Sequence, residues 1–156
     1  MKDMKERYKL IPEVFFVLFR DEKVLLGRRT NTGYNDGNYG LPGGHGENRE
    51  TIRQGIVREA KEELGLDVMP DDLELLLVQS RWCADKDNPH ARVGFYFAPR
   101  DFSGEPKNME PEKCDDLQFF ALDELPENIV PHIKSALTAL EKGRAYDEFD
   151  WETLVP

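Results

Sequence analysis

Cysteine is scarce in this chain, with two among 156 residues, Cys83 and Cys114. Their spacing builds neither a disulfide scaffold nor a paired metal site, which fits a reducing, cytoplasmic setting. Long apolar runs are missing too. No stretch approaches the roughly 18 residues that a membrane-spanning helix needs. The opening "MKDMKERYKLIPEV" lacks the apolar segment that marks a signal peptide. Positive charge is in deficit, since 31 acidic residues outnumber 21 basic ones and leave a formal net charge of -10. Such a field repels DNA or RNA, whose affinity rests on cationic contacts to phosphate. A small anion could still bind where arginines or metal ions gather. No repeat or low-complexity tract divides the chain. The remainder, 39% hydrophobic and 33% charged, suits one domain over residues 1–156 with a core at about 13–142.

"EVFFVLFR" (Glu13 to Arg20) is a short continuous apolar run, and "KVLLGRR" follows a charged "DE" turn, so the two read as strands. "TNTGYNDGNYG" is a loop dense in turn formers, and "YGLPGGHG" leads out of it with backbone free to approach another group. The strongest helix starts at Thr51, where Thr51 and Gln54 have the spacing of a capping box. Ile52, Ile56, Ala60 and Leu64 form its apolar stripe, and Gly65 stands where a left-handed cap belongs. "LELLLVQSRWC", "ARVGFYFAP" and "LQFFAL" read as strands, and "NIVPHIKSALTALEKG" as a closing helix. This succession predicts an α/β fold, a mixed β-sheet sandwiched between α-helices. The acidic tail "YDEFDWETLVP" shows no period that would place it.

"REAKEELG" (Arg58 to Gly65) concentrates repulsion in one place. Glu59, Glu62 and Glu63 fall at i, i+3 and i+4, so a helix stacks their carboxylates on one face. They also lie toward the C-terminal end, where the helix dipole is itself negative. A divalent cation would relieve both penalties, and carboxylate oxygens suit Mg²⁺, Mn²⁺ or Ca²⁺. Taken alone, "EAKEE" reads as well as a solvated acidic face.

The wider spacing decides for the cation. Gly44, five residues, Glu50, seven residues and then "REAKEELGL" resembles the Nudix box, G-x5-E-x7-R-E-U-x-E-E-x-G-U with U apolar. Seven fixed identities at fixed offsets arise by chance with odds of order one in a million or less at average residue usage. "LPGGH" before the box also resembles that superfamily, and the likeness extends over about Val14 to Leu140. The resemblance implies a Mg²⁺- or Mn²⁺-dependent pyrophosphohydrolase that cleaves a nucleoside diphosphate linked to another group. Water would attack phosphorus while metal ions neutralise the phosphoanhydride oxygens. It implies metal ligation by Glu59, Glu62 and Glu63 with the carbonyl of Gly43 or Gly44. Glu50 would hold Arg58 in an ion pair, and the general base would be Glu59 or Glu62. Two departures stand out. Arg49 replaces a common glycine, as solvated surface or as a phosphate contact. Gly55 interrupts the helix at about 1 kcal/mol relative to Ala, which would suit close packing on the sheet.

The triphosphate-cleaving, MutT-like branch implies a further metal ligand in the loop "SGEPKNMEPEKCDDL", where Glu110 aligns better than Glu112. Arg29 matches a phosphate-contacting position more closely than Arg28. Tyr34, Tyr39 and Trp82 could stack on a base or simply pack. Asn128 resembles a guanine-reading amide in position, and a helix N-cap explains it equally well. His45 borders the glycines without an assigned role. The leading expectation is a small nucleotide substrate, a (deoxy)nucleoside triphosphate such as an oxidised purine nucleotide. Alternatives are hydrolysis of an ADP-sugar or a dinucleoside polyphosphate, or a non-catalytic nucleotide-binding regulatory domain. Such a domain would typically have lost box carboxylates, and all four are present here. Isoprenoid diphosphate isomerisation would require a reactive cysteine in the pocket. No nucleic acid polymer and no membrane are expected as partners, and a homodimer stays open.

Overall fold

The computed structural model describes residues 5–154. Strands β1 (Ile11–Phe16), β2 (Phe19–Arg20), β3 (Lys23–Arg29), β4 (Tyr39–Gly40) and β5 (Gly43–His45) precede helix α1 (Ile52–Leu64). Then come β6 (Leu73–Cys83), β7 (His90–Pro99), β8 (Cys114–Ala121), helix α2 (Pro131–Glu141) and β9 (Tyr146–Phe149). Among the described residues, no helix is long and apolar enough to cross a membrane.

The expected mixed sheet with helices on both faces is present, but the strands divide between two sheets. One is mixed, in the order β5-β1-β7-β6-β9, with β1–β7 and β6–β9 parallel. The other is antiparallel, with β3 paired to β2, β4 and β8. The apolar run "EVFFVLFR" therefore breaks at Val17–Leu18 and contributes β1 to one sheet and β2 to the other. The charged turn holds, with both Asp21 (φ 51) and Glu22 (φ 62) left-handed, as a two-residue hairpin of type I′ demands. The tail that the sequence left unplaced supplies β9, which extends the mixed sheet beside β6.

Strand alternation explains the layers. Val14, Phe16 and Leu18 point into the core that Ile56, Ala60 and Leu64 of α1 complete. Phe15 and Val17 point the other way, into the core that Ile133, Ala136 and Leu137 of α2 complete. Phe15 stacks on Tyr96 at 4.6 Å between ring centroids. Gly94 makes room for it, because a Cβ there would stand 3.1 Å from the Phe15 ring.

Helix α1 begins and ends as its residues dictate. Thr51 accepts from the Gln54 amide, and the Gln54 side chain returns to the Thr51 amide, completing the capping box. Gly65 caps the other end at φ 70, and its amide donates to the Ala60 and Lys61 carbonyls. Helix α2 differs from expectation. Its N-cap is Val130, without a side-chain cap bond, and Pro131 starts the first turn. Asn128 is not the N-cap.

Thr51→Ala leaves one amide of the first turn without its acceptor. The substitution is expected to destabilise the protein by about 1 kcal/mol, read as a lowered urea midpoint at unchanged slope. An unaltered midpoint would mean that the box contributes nothing to the helix that carries the glutamates.

Candidate active site

Strand β5 and helix α1 run side by side, so the "PGGH" backbone lies against the acidic face of the helix. Gly43 pairs with Phe15 across β1–β5. A Cβ on Gly43 would meet the Val14 carbonyl oxygen at 2.1 Å, which no side chain tolerates. A Cβ on Gly44 would stand 2.5 Å from Glu59 Oε1. Both glycines are thus required by close approach, and the second leaves the Glu59 carboxylate its space.

Arg58 organises the carboxylates. Its Nε and one terminal nitrogen donate to the two oxygens of Glu50, each at 2.9 Å. The other terminal nitrogen donates to Glu59 at 2.8 Å and to Glu62 at 3.4 Å, while the one bonded to Glu50 also donates to the His45 carbonyl at 3.2 Å. The expected Glu50–Arg58 pair is therefore bidentate, the strongest form such a contact takes. Gly55 serves it directly. A Cβ there would fall 2.9 Å from Glu50 Oε1 and 3.4 Å from Val14, so the glycine that weakens the helix admits the Glu50 carboxylate as well as the sheet.

Glu63 accepts from the Gly43 amide at 3.0 Å. Burial first and the Glu59 charge second push its pKa up to about 8, with the Gly43 amide acting the other way. Burial also raises Glu59, against the pull of Arg58. Arg49, the residue in place of the common glycine, sits at φ 65; glycine would adopt that backbone more readily.

Gly43, Arg58, Glu59, Glu62 and Glu63 line a cavity of about 520 Å³ that also holds Arg28, Arg29, Asn108, Glu110 and Lys113. Glu110 faces it beside Glu63, whereas Glu112 is not among the lining residues. Cys114 lines the cavity too, but burial raises its thiol, the wrong direction for a reactive thiolate. Among the described residues, no three His, Cys, Asp or Glu side chains stand ready-made in a metal-ligating group. The carboxylates share one cavity wall, with Arg58 between them.

A second cavity of about 400 Å³ adjoins the first and shares Arg29, Thr32, Gly40, Leu41 and Gly43 with it. Tyr34 stands at its edge, with the Arg29 guanidinium 5.5 Å from the ring centroid. Arg29 also donates to the Tyr34 carbonyl at 2.7 Å. Of the two readings open for the other aromatics, stacking or packing, the structure shows packing. Tyr39 is core, its hydroxyl bonded to Asp116, and Trp82 packs near Trp151. The exposed Asn128 donates its side-chain amide to the Gly37 carbonyl at 2.8 Å and lines neither cavity.

The sequence reading missed a buried charge cluster, of which Glu13 and Arg92 line this second cavity. Arg81 and Arg92 stand directly opposite across β6–β7, a repulsive placement. Glu13 from β1 resolves it, accepting from Arg81 at 2.9 and 3.0 Å and from Arg92 at 3.0 Å. Arg92 reaches His45 as well, at 2.9 Å. A charged Glu13 inside an otherwise apolar strand was the available signal. His132 lies nearby, buried at 5% exposure, and burial, with Arg81 next, lowers its pKa to about 3.

With this geometry in place, comparison with known proteins becomes informative. A model of the NUDIX domain matches residues 9–140. The chain belongs to the NUDIX family. It is 35% identical over 136 residues to the ADP-ribose pyrophosphatase of Methanocaldococcus jannaschii, covering 85% of this chain and 76% of that one. It is 27% identical over 119 residues to the NAD-capped RNA hydrolase NudC of Stutzerimonas stutzeri, of which it spans only 39%. Among solved structures, a MutT NUDIX hydrolase from Burkholderia pseudomallei superposes with a TM-score of 0.73 at 31% identity. That match covers 83% of this chain and 97% of that one. This NUDIX enzyme is accordingly a hydrolase of phosphoanhydride bonds, in a family that generally uses divalent metal ions.

Two tests follow from this geometry. Gly55→Ala regains up to about 1 kcal/mol of helix propensity but crowds Glu50 off Arg58. Turnover is expected to fall roughly 10–100-fold, the usual loss when a group that orients ligands is disturbed. Unchanged turnover would show that Arg58 does not need Glu50. His132 concerns pH. Its folded pKa is depressed, so between about pH 6.5 and 3 the unfolded chain binds a proton that the folded imidazole refuses. Stability therefore falls with pH across that window, by at most about 1.4 kcal/mol per unit for this one group. From pH 7.5 to 5.0 in urea, the wild type should lose about 2 kcal/mol more than His132→Gln. Equal losses would mean that His132 is not held neutral.

Proposed function

We propose that this NUDIX enzyme is a Mg²⁺- or Mn²⁺-dependent pyrophosphohydrolase of small nucleotides, with a nucleoside triphosphate first among its substrates. One observation carries the reading. The cavity that gathers Glu59, Glu62, Glu63 and Glu110 is also rimmed by Arg28, Arg29 and Lys113. Carboxylates for a cation and cations for phosphates on one wall suit a polyphosphate chain better than a single phosphate diester.

The residues fit a divalent cation. Their donors are hard oxygens, and burial first, then the neighbouring Glu59 and Glu110 charges, hold Glu63 up at about 8, a strain that a cation would relieve. Glu59, Glu62, Glu63 and the main-chain carbonyl of Gly43 or Gly44 would hold it, with Glu110 as an added ligand. When bound, the ion would neutralise phosphoanhydride oxygens and acidify the attacking water. Glu62 is the better placed of the two base candidates. Its side chain is 51% exposed and meets Arg58 only at 3.4 Å, while Glu59 is buried against Arg58 at 2.8 Å. Glu50 acts on the reaction through Arg58, as a positioning residue. Arg29 takes the phosphates, and Tyr34 offers its ring to the nucleoside.

A second reading is hydrolysis of an ADP-sugar, favoured by the 35% identity to a protein named ADP-ribose pyrophosphatase. Products separate the two readings. With Mg²⁺, a triphosphate should yield a nucleoside monophosphate and pyrophosphate. ADP-ribose should yield AMP and ribose 5-phosphate. Glu62→Gln is expected to lower turnover roughly 10²–10³-fold, as when one group stabilising the reaction's charge is lost. Hydrolysis of ADP-ribose alone would replace the triphosphate reading. A fully active Glu62→Gln would remove Glu62 as the base.

A further inference from the structure

We propose that His132 reads the uncharged hydrogen-bonding edge of the substrate's nucleobase in the second cavity, and thereby sets which nucleotide this enzyme prefers. The inference rests on the nucleotide reading above and deepens it. His132 sits in the first turn of α2, behind Pro131, and its ring lines the cavity. Its main-chain carbonyl accepts from Gln79 at 2.8 Å. Among the described residues, no protein group takes up either ring nitrogen, although no fully buried polar side-chain atom there lacks a partner. The nitrogens therefore keep some accessible surface, in a residue that lines the cavity.

Its neighbours decide what it can bind. Burial first, and then Arg81, Arg92 and Arg29, disfavour a charged imidazole, and Glu13 only partly opposes them. A neutral ring offers one N–H donor and one lone pair, the complement of a base edge that carries an acceptor beside a donor. It has no net charge to offer a phosphate, and that need is met by Arg29 on the wall shared with the acidic cavity. Flat apolar faces complete the lobe, since the Phe15 ring lies 5.9 Å from the imidazole and Tyr34 borders the opening. A base has faces to stack and an edge to bond; a second phosphate has neither. The volume of about 400 Å³ is that of a small ligand site. Asn128 does not serve the same purpose, since it lines neither cavity and its side chain is tied to the Gly37 carbonyl. The discrimination falls to a residue four positions on. Leaving a buried donor or acceptor unpaired by the wrong base is the usual source of strong selectivity.

The test uses His132→Phe and His132→Gln in the full chain, both checked for wild-type melting. KM and kcat are measured with Mg²⁺ for dGTP, dATP, dCTP and ADP-ribose. For the best of these, His132→Phe should raise KM at least tenfold with kcat within twofold, flattening the preference among bases, and His132→Gln should restore part of it. The second readout does not need turnover. AMP, GMP, CMP and ribose 5-phosphate are titrated into metal-free ¹⁵N-histidine-labelled protein. The His132 ring nitrogens should shift with at least one nucleotide and stay still with ribose 5-phosphate. Shifts without hydrolysis of any of these four would uphold the base-reading role and overturn the triphosphate and ADP-sugar readings of the substrate. Hydrolysis with unaltered base preference in His132→Phe, or equal shifts with ribose 5-phosphate, would overturn the role of His132 and leave the hydrolase reading intact.

Discussion

A single guanidinium holds the acidic wall of this enzyme together. Arg58 reaches Glu50, Glu59 and Glu62, lies 3.6 Å from Glu47, and bonds the His45 carbonyl. Without it, helix α1 would carry three stacked carboxylates near its negative end, two of them partly or fully out of water. The same contact ties the helix to β5 through the His45 carbonyl. The glycine loop is thereby held within reach of the glutamates. A charge pair of this kind adds little where water screens it. Here both partners are largely covered, with side-chain exposures of 21% and 16% for Arg58 and Glu50. Its chief effect is to fix where the carboxylates point.

Strand β1 is the second organiser. Alternate residues face the two cores, and the strand pairs with the glycine loop on one side and β7 on the other. One element therefore sets the position of Gly43 against Glu63 and of Glu13 between Arg81 and Arg92. The acidic cavity and the aromatic cavity meet at β4 and β5 because the same backbone separates them. A substrate lying across that boundary would place its phosphates over the glutamates and its base toward His132. The net charge of -10 does not hinder this, since both cavities carry arginines of their own.

Much of the site was legible because its spacing is local. The box glutamates, the Thr51–Gln54 cap and the Gly65 terminus all act within one helix, at separations of three to five residues. Helical geometry turns such spacings directly into shared faces and satisfied ends. The Glu50–Arg58 pair came with the family pattern, and the structure gives its two contacts at 2.9 Å. Gly55 was read as a packing device for the sheet, and its principal neighbour is Glu50.

The limits of α1, the acidic face and membership of the family were determined by the amino-acid sequence alone, because each rests on spacings within or just before one helix. The division of the strands into two sheets, the placing of the tail as β9 and the fate of Asn128 were decided only in three dimensions. The same holds for Glu13, Arg81 and Arg92, which lie 68 and 79 residues apart along the chain. No local period connects such residues. Strand pairing brings them together, and burial then determines which charges must be paired and which polar groups are left facing a cavity.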